Sequence, residues 1–396
     1  MMKRHYENPP TAGLPLTWRD WLPAKQPLAT IASEFLQLPE VEITCSATAA
    51  LVITLSCLAQ YQPQRKTVII PAYTCPLVAL AIHHCGLRIQ LCDLQADSID
   101  FDIEQLASLI NDDVLAVVPT HLGGRVTDVQ TIKQLVQNHQ ITVIEDAAQA
   151  MGADVGRDGD VVIFSLAAGK GLTMYEGGLL ATQDGQLRDQ LQKTARKLLP
   201  WQTKWEVQRT IELLGYTALY HPFGLHFVYG IGRRKALRQQ QLITAVGDDF
   251  DFAIPMHQVG KWRQNVAANA FARLPSFLHL LQQQALQRIE QLSNIVGVEV
   301  IQDKHGQGVW PFLMLLLPTA QQRDAVMNKL WVSPLGVTRL FIHALPQYDY
   351  LQPIVPAINM PNAQAFAARM LTITNSPWLT EAQFTQICDV IQAIVA

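Results

Sequence analysis

Charged residues are scarce in this sequence of 396 residues: Asp, Glu, Lys and Arg make up 16% of it, and the formal net charge is −3. The sequence contains no long block of basic residues, so we do not expect nucleic acid as a partner. It also lacks a run of about 18 uninterrupted apolar residues, the length that a membrane-spanning helix needs. The composition therefore predicts neither a nucleic-acid-binding protein nor a membrane-spanning one.

Cysteine is also sparse, and the six residues form no CxxC pair and no zinc-ligand spacing. We therefore expect reduced, mostly buried thiols and no metal site. The first residues, MMKRHYENPPTAG, carry no apolar segment after the basic ones, so no signal peptide is expected. These features favour a cytoplasmic protein.

Hydrophobic residues, in contrast, make up 49% of the sequence, which favours a well-buried enzyme and is compatible with a large oligomer interface. Short apolar runs alternate with helical patterns, as is typical of α/β proteins with a mostly parallel sheet flanked by helices. We predict an N-terminal arm (1–25), a large cofactor-binding domain (26–255) and a smaller C-terminal α+β domain (256–396). The strands expected in the large domain are 41–44, 67–71, 88–92, 114–119, 141–144, 161–164 and 179–182.

The segment 201–241 is long, aromatic and predicted to be helical, and it interrupts the strand–helix alternation. It carries Tyr216, Tyr220, Phe223 and Tyr229, and basic residues follow. One interpretation is a helical insertion buried at a subunit interface. The alternative is an amphipathic surface that meets a membrane or a lipid-linked substrate, which we favour less.

The stretch from residue 143 to 178 holds the strongest chemical signal. A buried strand ends in Glu145 and Asp146, a second apolar run ends in Ser165, and Lys170 follows in a small-residue loop. Ligands bind beyond the carboxyl ends of strands in open α/β sheets. We therefore expect Asp146 and Lys170 to face one cofactor, although each residue alone is more often a helix cap or a surface lysine.

A lysine and a carboxylate in this arrangement suit pyridoxal phosphate (PLP), which needs a Schiff-base lysine and an acid at its pyridine nitrogen. Gln149 is expected to bond the ring hydroxyl, and Ser165 the phosphate. The backbone N–H groups of Ala47, Thr48 and Ala49, at the start of a predicted helix, are further phosphate candidates. A plain helix cap is the alternative for that turn.

Six motifs in chain order carry a family resemblance. They are S-x-T-A-A-L from Ser46, P-A-Y-T, P-T-H-L-G-G, E-D-A-A-Q, F-S-x-x-x-x-K and E-G-G. This set resembles the DegT/StrS-type aminotransferases, which are fold type I PLP enzymes that act mostly on keto-sugar nucleotides. The resemblance is clear from about residue 14 to 182, weak from 183 to 255 and faint in the remainder.

The resemblance implies specific roles for residues of these motifs. Lys170 matches the Schiff-base lysine, Asp146 the pyridine-nitrogen partner and Gln149 the contact to the ring oxygen. Ser165 matches a phosphate ligand, as do Thr48 and Ala49 in the phosphate-binding turn. His121 and Gly123 match a loop near the active site, and the resemblance assigns them no role.

Three positions depart from the family pattern. The turn has Ala47 where glycine is usual, and Cys75 stands where an aromatic residue often stacks on the cofactor ring. The neighbouring Tyr73 is expected to point elsewhere. The family also supplies an asparagine from the partner subunit to the phosphate, but the corresponding segment, 249–256, contains none.

The resemblance implies a PLP-dependent aminotransferase, which moves an amino group from a donor such as glutamate to a nucleotide- or lipid-linked keto-sugar. A homodimer is expected. The alternative is a regulatory or catalytically altered protein of the same fold that does not catalyse transamination. A nicotinamide-dependent enzyme is disfavoured, because no G-x-G-x-x-G follows the first strand.

Overall fold

The structure is a computed structural model that describes residues 5–396. It contains a seven-stranded and a four-stranded sheet, both flanked by helices. The strands are β1 (Glu42–Thr44), β2 (Thr67–Pro71), β3 (Arg88–Cys92), β4 (Val114–Val117), β5 (Thr142–Asp146), β6 (Val161–Ser165), β7 (Gly178–Ala181), β8 (Glu299–Val300), β9 (Phe312–Leu316), β10 (Val337–Thr338) and β11 (Met370–Thr374).

The helices alternate with the strands in the first half of the chain and dominate the region that follows. They are α1 (Leu28–Leu36), α2 (Ala47–Tyr61), α3 (Pro76–His84), α4 (Ile103–Leu109), α5 (Val129–Val136), α6 (Gly185–Leu198), α7 (Thr203–Leu219), α8 (Pro222–Leu225), α9 (Ile231–Arg238), α10 (Leu242–Val246), α11 (Lys261–Phe271), α12 (Leu274–Ser293), α13 (Ala320–Leu330), α14 (Pro361–Arg369) and α15 (Glu381–Val395).

The large sheet has the strand order β1-β7-β6-β5-β4-β2-β3. Strands β2 to β6 pair in parallel, whereas β7 is antiparallel to both β6 and β1. Strands β4 to β7 are buried along their whole length, as expected for a sheet covered by helices on both faces. The predicted mostly parallel sheet is therefore confirmed, and the carboxyl ends of β4, β5 and β6 meet at one edge.

The small sheet has the order β10-β11-β9-β8 and is antiparallel throughout. The apolar periodicity of the sequence predicts a helix over 363–371, but this prediction is wrong at its end, because α14 stops at Arg369 and β11 begins at Met370. Strand β11 is fully buried between two neighbours. Its apolar residues gain more from the central position in this sheet than from another helical turn.

Helix α12 joins the two cores. Leu274, Phe277 and Leu281 near its start pack in the core around the large sheet. Ala285 and Ile289 pack in the second core, which surrounds the small sheet. Helix α12 therefore contributes side chains to both cores.

The region after α6 is helical, as predicted. Helix α7 is followed by α8, by one π-helical turn (His226–Gly230) and by α9. Within residues 5–396, no helix combines the length and the apolar character that crossing a membrane requires. All six cysteines are free thiols.

Candidate active site

A cavity of about 310 Å³ opens at the edge where β5 and β6 end. Asp146 is the last residue of β5 and Ser165 the last of β6. These strands pair in parallel, with Asp146 opposite Ile163, so both polar side chains emerge at the same edge. Of the residues singled out from the sequence, those that line the cavity are Ala47, Thr48, Cys75, His121, Asp146, Gln149, Ser165 and Lys170.

Asp146 is buried, with 5% of its surface exposed. Its Oδ1 accepts a hydrogen bond of 3.1 Å from the N–H of Ala148. Burial raises the pKa of Asp146, and the Ala148 N–H, Lys170 and His121 oppose that rise. Among the described residues Oδ2 has no protein partner, yet it is not sealed from solvent, so it is free to bond a ligand in the cavity.

Lys170 lies in the loop between β6 and β7 and lines the same cavity. Burial lowers the pKa of Lys170, and the nearby Cys75 and Asp146 oppose the change. A lysine of this kind releases its proton more readily than one in water. It is therefore suited to act as a nucleophile or as a base.

The N-terminal arm holds the lysine loop in place. The hydroxyl of Thr11 donates a 2.6 Å hydrogen bond to the carbonyl of Gly169, and the N–H of Leu14 donates to the carbonyl of Gly171 at 3.2 Å. Gly169 has a φ of 78°, a conformation that glycine adopts without strain. The arm thus fixes the backbone on both sides of Lys170.

Helix α7 supports the same loop from the other side. Tyr216 and Tyr220 stack with ring centroids 4.3 Å apart. The Tyr220 hydroxyl accepts a bond from the N–H of Gly13 at 3.0 Å and donates to the carbonyl of Thr11 at 3.2 Å. The aromatic helical insertion therefore stabilises the arm that holds the lysine loop.

The start of helix α2 forms an anion cradle beside the cavity. Ser46 caps the helix and accepts a 2.9 Å bond from the N–H of Ala49. That N–H is therefore already paired, whereas Ala47 and Thr48, in the first turn, line the cavity. The unpaired first N–H groups of a helix and its positive dipole end attract anions.

Gly178 in β7 allows this helix start to approach the sheet. A Cβ atom at Gly178 would lie 2.6 Å from the backbone nitrogen of Ala47 and 2.5 Å from the carbonyl oxygen of Ser46. No side chain fits in that space. The glycine of the E-G-G motif thus positions the anion cradle.

Gln149 is oriented by the loop after β4. Its Oε1 accepts a 2.7 Å hydrogen bond from the N–H of Gly123, whose φ is 60°. Gln149 lines the cavity, and its amide nitrogen has no protein acceptor among the described residues, so it remains available as a hydrogen-bond donor. The structure thereby gives Gly123 a role that the sequence did not suggest, which is to orient Gln149.

His121 and Glu145 form a buried pair behind Asp146. Nε2 of His121 lies 3.1 Å from Oε2 of Glu145. The N–H of Thr127 donates to Nδ1, so the ring proton belongs on Nε2 and is donated to Glu145. Burial disfavours the charged carboxylate, but His121 and two backbone N–H groups outweigh burial and lower the pKa of Glu145.

Cys75 lies at the N-terminus of α3 and lines the cavity. Burial raises the pKa of Cys75 to about 12, so its thiol stays protonated at neutral pH. Tyr73 packs away from the cavity against Phe341 and Phe366, with ring centroids 5.7 and 5.3 Å apart. A thiol, not an aromatic ring, thus occupies the position after Thr74.

Sequence reasoning missed one wall of the cavity. It is formed by a segment after α10 and by a loop after β10, which contribute Val246, Gly247, Asp248, Phe250, Leu340 and Phe341. No motif marks these residues. Within residues 5–396 no three His, Cys, Asp or Glu side chains are grouped so as to hold a metal ion.

The chain is similar to known proteins over most of its length. A family model described as the DegT/DnrJ/EryC1/StrS aminotransferase family matches residues 18–215 and 264–392. A GDP-perosamine synthase of Vibrio cholerae is 23% identical over 366 residues, which are 91% of this chain and 88% of the relative. A GDP-perosamine synthase of Caulobacter vibrioides is 34% identical over 125 residues, 30% of this chain and 34% of that protein.

Solved structures share the fold over nearly the whole chain. DesI, determined in the presence of its TDP-sugar product, superposes with a TM-score of 0.73 at 18% identity and covers 99% of this chain and 93% of its own. The PLP form of a putative sugar aminotransferase from Streptococcus pneumoniae gives 0.72 at 17% identity, over 98% and 99% of the two chains.

Proposed function

Because the chain belongs to the DegT/DnrJ/EryC1/StrS aminotransferase family, we propose that it transfers an amino group from an amino acid to a nucleotide-linked keto-sugar. The chain is a PLP-dependent aminotransferase, as its family is. The observation that carries the proposal is the single cavity lined by Asp146, Lys170 and the anion cradle. The sugar acceptor is a proposal supported by relatives named as GDP-perosamine synthases and by DesI with its TDP-sugar product. Glutamate is proposed as the donor.

The residues present fit PLP. The cavity offers a lysine, a buried carboxylate with one open oxygen, an amide donor and a helix N-terminus, which are the groups that this cofactor requires. When bound, PLP supplies an electron sink that lets an amino group leave one carbon and join another. We propose that Lys170 holds it covalently.

Asp146 is proposed to hold the pyridine nitrogen protonated through its open Oδ2. Burial favours a strong charge-assisted hydrogen bond at this atom, because the low dielectric around a nearly buried carboxylate strengthens the bond. Gln149 is proposed to donate its amide N–H to the ring oxygen. Its fixed orientation by Gly123 supports this role, because the amide cannot turn its oxygen toward the cavity without losing that bond.

The phosphate is proposed to bind at the cradle formed by Ala47 and Thr48, with the hydroxyl of Ser165 as a further ligand. The predicted contact from Ala49 is not part of this proposal, because its N–H is paired with Ser46 and the residue does not line the cavity. Cys75 is proposed to face the cofactor ring with its neutral thiol. A neutral, polarisable group is suited to this place, since a charged thiolate would oppose Asp146.

Lys170 is also proposed to move the proton between the substrate carbon and the cofactor. Its lowered pKa makes the neutral amine more available as a base near neutral pH. The bonds from Thr11 and Leu14 fix the backbone on both sides of Lys170 and so fix the point from which its side chain starts. Accurate placement of a catalytic base accounts for much of its effect.

A homodimer is proposed as the assembly. Val207, Ile211 and Leu214 form a stripe at helical spacing on α7, and they are 54%, 62% and 38% exposed. Contiguous exposed apolar surface of this kind marks an interface, and a second copy of the chain is the partner that we propose.

We also propose that the chain divides into an arm (1–25), a large domain (26–255) and a small domain (256–396). A cytoplasmic location is a further proposal, and the free thiols support it.

The function is tested with purified protein, PLP and borohydride. We expect a mass increase of one reduced cofactor at Lys170, and a shift of the bound-cofactor absorbance when glutamate is added. Lys170→Ala should abolish both, whereas Lys193→Ala, on the exposed face of α6, should change neither. Intact protein that binds no PLP, or a Lys170→Ala variant that still transaminates, would overturn the proposal. Bound PLP that no amino donor alters would support the regulatory alternative.

A further inference from the structure

Asp248 is a second carboxylate in the active cavity, in addition to Asp146 and outside every family motif. It follows the end of α10, where Gly247, with a φ of 88°, turns the chain back toward the cavity. Asp248 lines the cavity together with Phe250 and the loop residues Leu340 and Phe341. Only 2% of its surface is exposed.

The two oxygens of Asp248 have different surroundings. Oδ2 accepts bonds of 2.7 Å from the N–H of Ile342 and 2.6 Å from the hydroxyl of Tyr348. The backbone carbonyl of Asp248 accepts a third bond, of 2.7 Å, from the hydroxyl of Tyr350. Among the described residues Oδ1 has no hydrogen-bond partner and is not sealed from solvent, so it is an open acceptor at the cavity wall.

The groups that donate hydrogen bonds to Asp248 are neutral, so the buried negative charge of Asp248 lowers the stability of the folded protein. Burial raises the pKa of Asp248 to about 6, while Tyr348, Ile342 and Arg339 oppose the rise. A buried carboxylate held without a close ion pair lowers stability, and such groups concentrate at functional sites. An asparagine would satisfy the same two donors without this cost.

The position of Asp248 indicates recognition of substrate and not proton transfer with the lysine. Asp248 follows α10 and is held by Ile342 and Tyr348, which belong to the loop after β10. Asp146 and Lys170 come from the end of β5 and from the loop between β6 and β7. Asp248 therefore belongs to a different wall of the cavity from the acid and the lysine that are proposed to hold the cofactor.

We infer that Oδ1 of Asp248 accepts a hydrogen bond from a hydroxyl group of the acceptor sugar. The inference rests on the proposed function, because it names how the same site selects its acceptor. The neighbouring Phe250, Leu340 and Phe341 offer apolar surface to the C–H face of a sugar ring. An acceptor with a carboxylate or phosphate at this position would be repelled by Asp248, so the site selects a neutral polyhydroxylated group there.

The variant that tests this role is Asp248→Asn. The amide oxygen of asparagine can still accept from Ile342 and Tyr348, so the amide nitrogen takes the place of Oδ1. The open acceptor becomes a donor while the contacts that hold the segment remain. Asp249→Asn is the matched control, since Asp249 is the exposed neighbour and carries the same charge.

Binding is measured on the PLP-loaded protein by calorimetry with GDP-mannose and TDP-glucose, which carry hydroxyl groups and no keto group. Asp248→Asn should weaken binding of the better ligand by about 10- to 100-fold, the range for a hydrogen bond to a charged group. The rate at which an amino donor changes the cofactor absorbance should stay within about twofold of wild type. Asp249→Asn should change neither quantity.

Tyr348→Phe separates recognition from a structural role. It removes one donor from Oδ2 but leaves the open oxygen, so it should weaken sugar binding less than Asp248→Asn does. Equal losses of sugar affinity in Asp248→Asn and Tyr348→Phe would overturn the inference. So would a loss of the rate with the amino donor as large as the loss of sugar affinity, or unchanged sugar binding in Asp248→Asn. A wild-type protein that reacts with amino donors yet binds neither nucleotide sugar would overturn the proposed acceptor class as well.

Discussion

Nε2 of His121 donates a 3.1 Å hydrogen bond to Oε2 of Glu145, and both side chains are buried beneath the residue that ends β5. His121 also bonds the chain through its backbone, since its N–H donates to the carbonyl of Asp146. The pair therefore connects the loop after β4 to the strand that carries the proposed cofactor acid.

We predict that His121→Ala destabilises the protein by about 3 kcal/mol, because it leaves a buried carboxylate with fewer donors. Glu145 would keep only its bonds from the N–H groups of Gly156 and Gly159. Urea unfolding at pH 7.5 measures the change. His279→Ala, at an exposed position of α12, is the control and should stay within about 0.5 kcal/mol. Equal stability of both variants would contradict the buried pair.

Gly178→Ala should displace the start of α2, because the new Cβ would meet the backbone of Ser46 and Ala47. We expect a loss of about 1–3 kcal/mol in stability, the usual cost of an overpacked site. PLP affinity should also fall, as measured by titration of the apo-protein. Gly185→Ala is the control, because no atom lies within 4 Å of its added Cβ. Normal PLP affinity in Gly178→Ala would show that this glycine does not position the anion cradle.

Tyr220→Phe should destabilise the protein by about 1–2 kcal/mol, because it leaves the buried N–H of Gly13 without its acceptor. The same change loosens the arm next to the lysine loop, so the borohydride-trapped fraction at Lys170 should decrease. Thermal unfolding and mass spectrometry measure the two effects. Tyr61→Phe alters an exposed phenol, 52% accessible, and should leave both unchanged. A stable Tyr220→Phe protein would show that the arm is held by other contacts.

The stability of the wild type relative to Asp248→Asn should depend on pH. The folded-state pKa of Asp248 is raised to about 6 from an ordinary value of 3.8, so folding favours the protonated acid. Its contribution is fully present below about pH 4 and is lost as the pH rises through 6. The difference between the two proteins should change by about 3 kcal/mol, at 1.36 kcal/mol per pKa unit. Urea midpoints at pH 4, 5, 6 and 7.5 measure it, and a flat difference would contradict it.

The double variant Val207→Asp, Ile211→Asp should be monomeric at concentrations where the wild type is dimeric, since it places charge in the exposed apolar stripe of α7. Sedimentation velocity measures the mass. Gln208→Asp, on the same helix and also exposed, should leave the assembly unchanged. A wild type that is monomeric, or a double variant that remains dimeric, would contradict the proposed interface.

Local sequence pattern predicted much of the large sheet. The bounds of β2 and β3 match the expected ranges 67–71 and 88–92, because short buried runs flanked by turn residues are unambiguous signals. Four motif residues, Asp146, Gln149, Ser165 and Lys170, line one cavity for the same reason. Their elements are consecutive along the chain, and parallel pairing brings their ends together.

The local sequence pattern could not predict contacts that depend on tertiary packing. Asp248 and Tyr348 are 100 residues apart, and their contact depends on how the segment after α10 packs on the loop after β10. Strand β11 follows a helix without a turn residue between them, so periodicity extended the helix into it. The sequence did not indicate the bond between His121 and Glu145, because one residue lies in a loop and the other in a strand, and sequence gives no distance between them.

The bond between Thr11 and Gly169 sets an order of folding. The two residues are 158 positions apart, and closing so long a chain segment is slow compared with pairing of neighbouring elements. During synthesis Thr11 leaves the ribosome long before Tyr220, which also holds the arm, has been made. Because Tyr220 holds the arm that bonds Gly169 and Gly171, the backbone on both sides of Lys170 cannot be fixed before the chain has been made through residue 220.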